Sequence, residues 1–278
     1  MKTKPGANGF TLIELLVVIA VTATLAVLLV PSWAMSKSRG QSARCLSNLR
    51  QLSVAWIAYA SDNRGKLVPN GSELDQPSSL IDSRGQPGGP LAQWCPGRQD
   101  QTSGSLSPST LPSTQPNIGY EWLELGLIYA YVNNVLVYKC PADISANNSF
   151  GTQYPHVRSI SMNAWLDPIS GVNGVTGIET YYKESDLVRP GPSQLFVFTD
   201  ESPISINDAF FIAEPGTGQW VDFPASYHNN GGGLSFADGH AETKRWTDQA
   251  IFTASQTPKQ NPPLDLLFLQ NASSYVKP

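Results

Sequence analysis

Charged side chains are scarce in this sequence. Only 14% of its 278 residues are Asp, Glu, Lys or Arg, and 22 acidic residues outnumber 18 basic ones. Nucleic-acid-binding proteins present a concentrated basic face. Here the basic residues are scattered, apart from a modest group after the first apolar segment, and the net charge is −4. We therefore expect no nucleic-acid partner.

The sequence also lacks the common catalytic motifs. It contains no His-Glu-x-x-His pair, no glycine-rich strand-turn-helix unit for a nucleotide, and no serine or cysteine in a recognisable nucleophile setting. We expect no catalytic residue, no cofactor and no resident metal, and hence a protein that is not an enzyme.

The sequence contains only three cysteines, so at most one intramolecular bridge can form. Cys95 and Cys140 stand in similar settings, each followed by proline. A bridge between them is chemically allowed outside the cytoplasm, and on the entropic model it would stabilise the fold by roughly 4 kcal/mol. The alternative is two buried free thiols. Cys45 is left unpaired in either case.

Glycine and proline are abundant, with 23 and 22 residues, which favours a loop-rich domain with short strands over a helical bundle. Residues 68–117 are rich in Pro, Ser and Gly and predict a surface insertion that buries little, tethered near residues 91–95. Residues 120–131 predict a helix and residues 135–140 a strand. Six further strand candidates, spaced as in antiparallel β structure, are 158–165, 177–182, 194–200, 209–212, 234–237 and 240–246.

The N-terminus carries one long apolar run. Residues 10–30 contain a single charge, Glu14, and follow two lysines. As a helix the run would measure roughly 32 Å, about the hydrocarbon thickness of a bilayer, and the lysines place the short N-terminus in the cytoplasm. The run is too long for an ordinary signal peptide and no Ala-x-Ala site follows it.

Glu14 distinguishes two interpretations of the apolar run, an uncut membrane anchor and an anchor that is cleaved by a peptidase. A carboxylate inside an apolar segment costs a few kcal/mol and calls for a functional reason. Cleavage between Gly9 and Phe10 would create a positive α-amino group close to it, on the same chain or on a neighbouring subunit. Processing therefore explains Glu14, and a plain anchor does not.

Helical periodicity resumes after Pro31. Apolar residues recur on one face of this stretch, and residues 61–65 predict its end. We expect an α+β fold in which one long helix spans the membrane with its first half and packs on an antiparallel β-sheet with its second, with long loop insertions. The residues of the apolar stripe are Cys45, Leu49, Leu52, Trp56 and Tyr59.

The stretch from Gly9 to Ile19 resembles the signal of type IV pilins and type II secretion pseudopilins. The resemblance implies that a prepilin peptidase cuts after Gly9 and methylates Phe10, and that Glu14, fifth after the cut, guides assembly. It implies a single-pass protein of the inner membrane with its C-terminal part in the periplasm, also present in an envelope filament. Its partners would be the prepilin peptidase, other pilin or pseudopilin subunits, the membrane, and a secretion or pilus assembly platform.

The segment from residue 226 to residue 240 allows two readings. We favour a β-hairpin with a two-residue turn at Asp238 and Gly239. The alternative is a site for Zn²⁺ or another divalent ion, or a hydrolytic site, built from His228, Asp238 and His240 and joined by the acidic pair at residues 200–201.

This segment carries a second resemblance. His228, nine residues and then Asp238-Gly239 are similar to the C-terminal H-x9-DG element of prepilin-like proteins abundant in Planctomycetes and Verrucomicrobia. Three other pieces, at residues 48–52, 138–143 and 159–163, also resemble that group. The long insertion departs from its pattern.

Together these observations predict four parts. A leader (1–9) precedes a transmembrane and assembly helix (10–31), an amphipathic helix (32–62) and an extracytoplasmic head (63–278). We expect a structural pilin-like subunit. The alternatives are an envelope-anchored module that binds glycan or divalent metal, and a hydrolase using His228 and Asp238.

Overall fold

The computed structural model describes residues 11–71, 93–96, 119–149, 152–169, 172, 176–253 and 260–278. The chain divides into two compact units, Met1–Gly40 and Gln41–Pro278. Its fold is α+β, with a long N-terminal helix and a mixed five-stranded sheet.

Helix α1 runs from Leu12 to Asp62. Among the described residues, no helix combines the length and the apolarity needed to cross a membrane. The single membrane pass over residues 10–31 stays a prediction.

The C-terminal part of α1 buries four residues of the predicted apolar stripe, from Cys45 through Leu49 and Leu52 to Trp56. Tyr59, the fifth, is only partly buried and packs against the same core. The helix ends where the sequence predicted. The Gly65 amide donates to the carbonyl of Ala60 at 2.8 Å, and Gly65 has a φ of +75°, as is usual where a helix closes on a left-handed residue.

The central sheet has the strand order β5-β3-β4-β6-β7. Strand β3 pairs antiparallel with β4, β4 with β6, and β6 with β7, whereas β3 and β5 are parallel. The prediction of a purely antiparallel sheet was therefore wrong. Side-chain alternation indicates which face a strand buries but not the direction of its neighbour, and β5 has only two residues. The strands are β3 (Ile160–Asn163), β4 (Phe196–Asp200), β5 (Phe210–Phe211), β6 (Gly231–Phe236) and β7 (Ala241–Arg245).

Apolar cores cover both faces of this sheet. One core joins α1 to residues such as Val197 and Phe198. The other joins Phe196 and Leu234 to two C-terminal helices that were not predicted from the sequence. These are α4 (Gln249–Thr253) and α5 (Leu264–Ser273). Since both faces are covered, every residue of β4 and β6 is buried.

The remaining elements are short. Helices α2 (Tyr120–Glu124) and α3 (Tyr129–Val132) precede a 3₁₀ turn at Val135–Tyr138, where a strand was predicted. The Asn134 side chain accepts from the Leu136 amide and caps this turn, a local bond that competes with strand pairing. A separate hairpin joins β1 (Ala146–Ser149) to β2 (Thr152–Pro155), and a second 3₁₀ turn covers Glu184–Asp186. The strand predicted at 177–182 contributes isolated bridges only.

Trp94 anchors the described part of the Pro/Ser/Gly-rich region, residues 68–117, to the head. Its ring is buried, stacks on Tyr138 with centroids 6.0 Å apart, and donates from Nε1 to the carbonyl of Ala209 at 3.1 Å. Its amide donates to the carbonyl of Pro69 at 2.8 Å. The rest of residues 72–118 lies outside the described residues.

Candidate functional site

Glu14 caps the start of α1. Its Oε2 accepts hydrogen bonds from the Thr11 amide at 2.8 Å and from the Thr11 hydroxyl at 2.7 Å. The Glu14 amide donates to Thr11 Oγ1 at 3.3 Å. This reciprocal pair is a capping box, which also places a negative charge at the positive end of the helix dipole. Gly9 and Phe10, the predicted cleavage residues, lie outside the described residues.

The H-x9-DG residues occupy two turns that bracket β6. The first turn has positive φ at Asn229 (54°) and Asn230 (62°), and the amide of His228 and that of Gly231 each donate to the other residue's carbonyl. The nine-residue spacing therefore spans this turn and the strand that follows it. Six strand residues separate the two ends of the element by roughly 20 Å.

The second turn is longer than predicted. The Gly239 amide donates to the carbonyl of Phe236 at 2.9 Å, and the Phe236 amide donates to the carbonyl of His240 at 2.9 Å. Gly239 has a φ of +90°, while Asp238 is not in the left-handed region. The connection is thus a three-residue loop ending in a glycine bulge, and the two-residue turn predicted at Asp238-Gly239 was wrong.

The structure does not bring His228, Asp238 and His240 together. Asp238 Oδ1 lies 2.5 Å from Nδ1 of His240, and both side chains are partly exposed. His228 is buried at the other end of β6. The alternative site built from these three residues is therefore not formed.

His228 instead joins three buried groups that come from three other segments: Cys45 of α1, Cys140 after the first 3₁₀ turn, and Asp200, the last residue of β4. One ligand atom from each of the four side chains lies within 4.8 Å of all the others. We call these four residues the buried cluster.

Short contacts link the buried cluster. Cys45 Sγ donates to Asp200 Oδ2 at 2.7 Å, and Cys140 Sγ lies 3.3 Å from His228 Nε2. His228 Nε2 lies 4.0 Å from Asp200 Oδ2. The amide of Gly233 also donates to Asp200 Oδ2, at 3.2 Å.

Gly233 leaves the space that the buried cluster fills. A Cβ atom there would lie 2.5 Å from Leu49 Cδ1, 3.0 Å from Asp200 Oδ2 and 3.2 Å from Cys45 Sγ. The glycine run at residues 231–233 lies before the strand predicted at 234–237, but it forms the first half of β6. A glycine inside a strand often marks such a close approach.

Burial and mutual contact shift the pKa values of the buried cluster in opposite directions. The hydrogen bond from Cys45 lowers the pKa of Cys140 to about 5, with a further contribution from His228. The same hydrogen bond, together with burial, raises the pKa of Cys45. Burial, followed by the charge of Cys140, raises the pKa of Asp200 to about 8. The two thiols and the carboxyl group therefore cannot all be ionised in this interior unless positive charge compensates them.

All three cysteines are free thiols in the structure, so the bridge considered between Cys95 and Cys140 is not formed there. Cys140 faces Cys45, for which no partner was predicted. Cys95 is buried but is not part of the buried cluster.

Glu201 turns away from its neighbour Asp200. Consecutive residues of an extended segment point to opposite sides, and Glu201 is buried near Asp222, Asp208 and Arg158. Burial, followed by the charges of Asp222 and Asp208, raises its pKa. The adjacent acidic pair therefore does not act as one site.

Among known families, the prokaryotic N-terminal methylation motif matches residues 4–30. The chain carries a type IV pilin-like prepilin signal. This prepilin signal contains Gly9, Phe10 and the capping pair Thr11 and Glu14. No curated protein and no solved structure matches the chain, and the resemblance of the head to H-x9-DG proteins stays a prediction.

A prepilin signal implies a substrate of a prepilin peptidase, pilin-type assembly and an envelope protein anchored in a membrane. It accounts for about the first tenth of the chain and says nothing about the buried cluster. No sequence spacing indicates that cluster, because its members are separated by tens of residues and meet only after the sheet and α1 have packed.

Proposed function

We propose that this chain is a pilin-like structural subunit, a pseudopilin, and not an enzyme. A prepilin peptidase would cut it between Gly9 and Phe10 and methylate Phe10. The mature subunit would then pass from the inner membrane, through an assembly platform, into a type II secretion or type IV pilus-like filament. The observation that carries this proposal is the prepilin signal at residues 4–30.

The position of Glu14 fits a role in assembly. Its carboxylate is held at the first turn of α1 by Thr11, close in sequence to the α-amino group that cleavage creates at Phe10. That amine, on the same chain or on an incoming subunit, would neutralise the carboxylate in an apolar environment. A neutralised pair removes much of the cost of placing Glu14 there.

Two substitutions separate the charge of Glu14 from its capping role. Glutamine at this helix position also supports a capping box, so Glu14→Gln keeps the helix start and removes the charge, whereas Glu14→Ala removes both. We expect both variants to be cut after Gly9 and to fail to enter filaments. N-terminal mass analysis of the mature protein and recovery of subunits in sheared filaments measure the two steps.

The outcomes are distinct. A mature protein that begins at Phe10 with an added methyl group supports the processing step, and an uncut N-terminus would overturn it. Normal filament entry of Glu14→Gln would overturn the role of the charge. If only Glu14→Ala fails, Glu14 acts as a helix cap and not as an assembly charge.

A further inference from the structure

We infer that the buried cluster of Cys45, Cys140, Asp200 and His228 is a structural Zn²⁺ site in the head. The donor set consists of two sulfurs, one imidazole nitrogen and one carboxylate oxygen. These are the atom types that bind Zn²⁺ in proteins, and thiolate ligands favour such metals over Mg²⁺ or Ca²⁺.

The distances suit a tetrahedral ion. Bond lengths of about 2.0–2.3 Å to Zn²⁺ place neighbouring ligand atoms roughly 3.3–3.8 Å apart. The pair of Cys140 Sγ and His228 Nε2 is already at 3.3 Å. The separation of His228 Nε2 and Asp200 Oδ2 would shorten slightly from 4.0 Å, and that of Cys45 Sγ and Asp200 Oδ2 would lengthen from 2.7 Å.

The site is closed. Each of its four residues is buried, and Cys45, Cys140 and Asp200 have no exposed surface. Four protein ligands with no open position are typical of structural zinc, whereas catalytic zinc keeps a place for water or substrate. The site thus adds stability to the head and does not add an activity.

A cation also explains why Asp200 is buried. Its side chain is fully inaccessible, and its Oδ1 has no hydrogen-bond partner among the described residues. A buried carboxylate without compensation is costly, and ionised groups in protein interiors are normally paired or bound to metals. Within the head, no basic Lys or Arg side chain forms an ion pair with Asp200 in the described part of the chain.

The metal would tie together segments that only the tertiary fold brings close. It would link α1 through Cys45, the 3₁₀ region through Cys140, the end of β4 through Asp200 and the turn before β6 through His228. Since the unfolded chain has no such arrangement, the free energy of metal binding contributes directly to folding.

The alternative state of the same two thiols is a disulfide between Cys45 and Cys140, since their sulfurs lie within 4.8 Å of each other. Zn²⁺ keeps both sulfurs as thiolates, whereas a disulfide removes two hydrogen atoms from the chain and leaves Asp200 and His228 without a metal. The intact mass of the denatured protein therefore distinguishes the two states.

The intact mass is measured on the full-length protein as isolated, without reductant. The metal test uses the same protein, solubilised in detergent under reducing conditions and supplied with Zn²⁺ before dialysis. We expect one Zn²⁺ per chain by elemental analysis and a fall in thermal stability on chelation. With Co²⁺ in place of Zn²⁺, we expect the charge-transfer absorption that thiolate ligands produce.

Variants and matched controls localise the ion. Changing even a second-layer partner weakens metal binding by about 10–100-fold, so loss of a ligand in Cys140→Ala or His228→Gln should weaken it more than about 100-fold. Cys95→Ala and His156→Gln change a buried cysteine and a buried histidine outside the cluster, and we expect both to keep the metal.

Three results would overturn the inference: a wild-type chain that retains no Zn²⁺, a Cys45–Cys140 disulfide in the protein as isolated from cells, or loss of metal in the control variants to the same degree as in the ligand variants. The chelation experiment on the wild-type chain needs no substitution, so a ligand variant that fails to fold leaves the test intact. Processing after Gly9 does not depend on the outcome, so this inference and the proposed function can fail separately.

Discussion

The two parts of α1 that carry chemically notable side chains are held in opposite ways. Glu14 is bound by Thr11, three residues before it. Cys45 is bound by Asp200, 155 residues after it. The first arrangement forms within one helical turn, whereas the second forms only when α1 has packed on the sheet. The Thr11–Glu14 arrangement therefore needs only the start of the helix, while the buried cluster depends on the packed fold.

The strongest test of this contrast is a change at the cleavage site. Gly9→Val should abolish processing, because we propose that the cut falls directly after this glycine, where a branched side chain would obstruct it. The head should still fold and bind Zn²⁺, since its ligands lie beyond residue 40. N-terminal mass and metal content of the same preparation measure both.

Gly6→Val is the matched control, because it places the same side chain on the other leader glycine. We expect it to be cut normally. If Gly9→Val lost its metal along with its processing, the two parts of the chain would not be independent.

The second largest effect is expected in the C-terminal core. Leu269 of α5 is fully buried among the side chains that cover the second face of the sheet, whereas Leu264 of the same helix is 80% exposed. Leu269→Ala should cost about 2–5 kcal/mol of unfolding free energy, and Leu264→Ala less than about 0.5 kcal/mol. Denaturant unfolding of the two variants measures the difference.

Equal losses in these two variants would contradict the packing of α5. Processing after Gly9 should be unchanged in both, because the proposed cleavage site lies more than 200 residues before α5 in the sequence. Loss of processing in Leu269→Ala alone would show that the peptidase requires a stable head.

Local patterns predicted much of the fold. The stripe from Cys45 to Trp56 and the helix end near Gly65 follow from spacing and from turn residues. So do β4, a run of β-branched and aromatic residues, and the β6–β7 hairpin, whose two strands are adjacent in the sequence. The capping pair Thr11 and Glu14 has a recognisable spacing too, although only an assembly role was predicted for Glu14.

Features set by distant contacts were missed. The parallel pairing of β5 with β3 has no sequence signature, and α5 is a short apolar run whose packing partners, such as Phe196 and Leu234, lie tens of residues earlier in the sequence. Cys140 was considered with Cys95 because their local settings are alike, yet it packs against Cys45. Similar flanking residues do not report proximity in space, which depends on how the whole chain folds.

Substitution of Gly233 should have an effect of intermediate size on the stability of the head. Its added Cβ in Gly233→Ala would approach Leu49 Cδ1 to 2.5 Å and crowd two members of the buried cluster, and overpacking of this kind typically costs about 1–3 kcal/mol. We also expect weaker Zn²⁺ binding, since Cys45 and Asp200 must move. Thermal unfolding with and without Zn²⁺ measures both effects.

Gly191→Ala is the control, because a Cβ there meets nothing within 4 Å. Its stability should change by less than about 0.5 kcal/mol. An equal loss of stability in both variants would mean that the buried cluster does not depend on the missing side chain at Gly233.

The smallest effect is expected at the exposed aspartate–histidine pair. Burial opposes the charge on Asp238, but its hydrogen bonds with His240 lower its pKa. A carboxyl group whose pKa is lower in the folded state stabilises the fold above its unfolded pKa and loses that contribution as pH falls through the folded value.

Asp238→Asn keeps an acceptor for the His240 amide, which donates to Asp238 Oδ1 at 3.1 Å, and removes only the charge. Because both partners are partly exposed, the loss of stability at neutral pH should stay below about 1 kcal/mol. The variant should also lose less stability than the wild type between about pH 4 and pH 2.

Asp200→Asn makes the same chemical change in the buried cluster, where it removes a proposed metal ligand and should cost considerably more stability when Zn²⁺ is present. Thermal unfolding of both variants against pH and Zn²⁺ gives the comparison. Equal losses would mean that burial and metal binding do not distinguish the two aspartates.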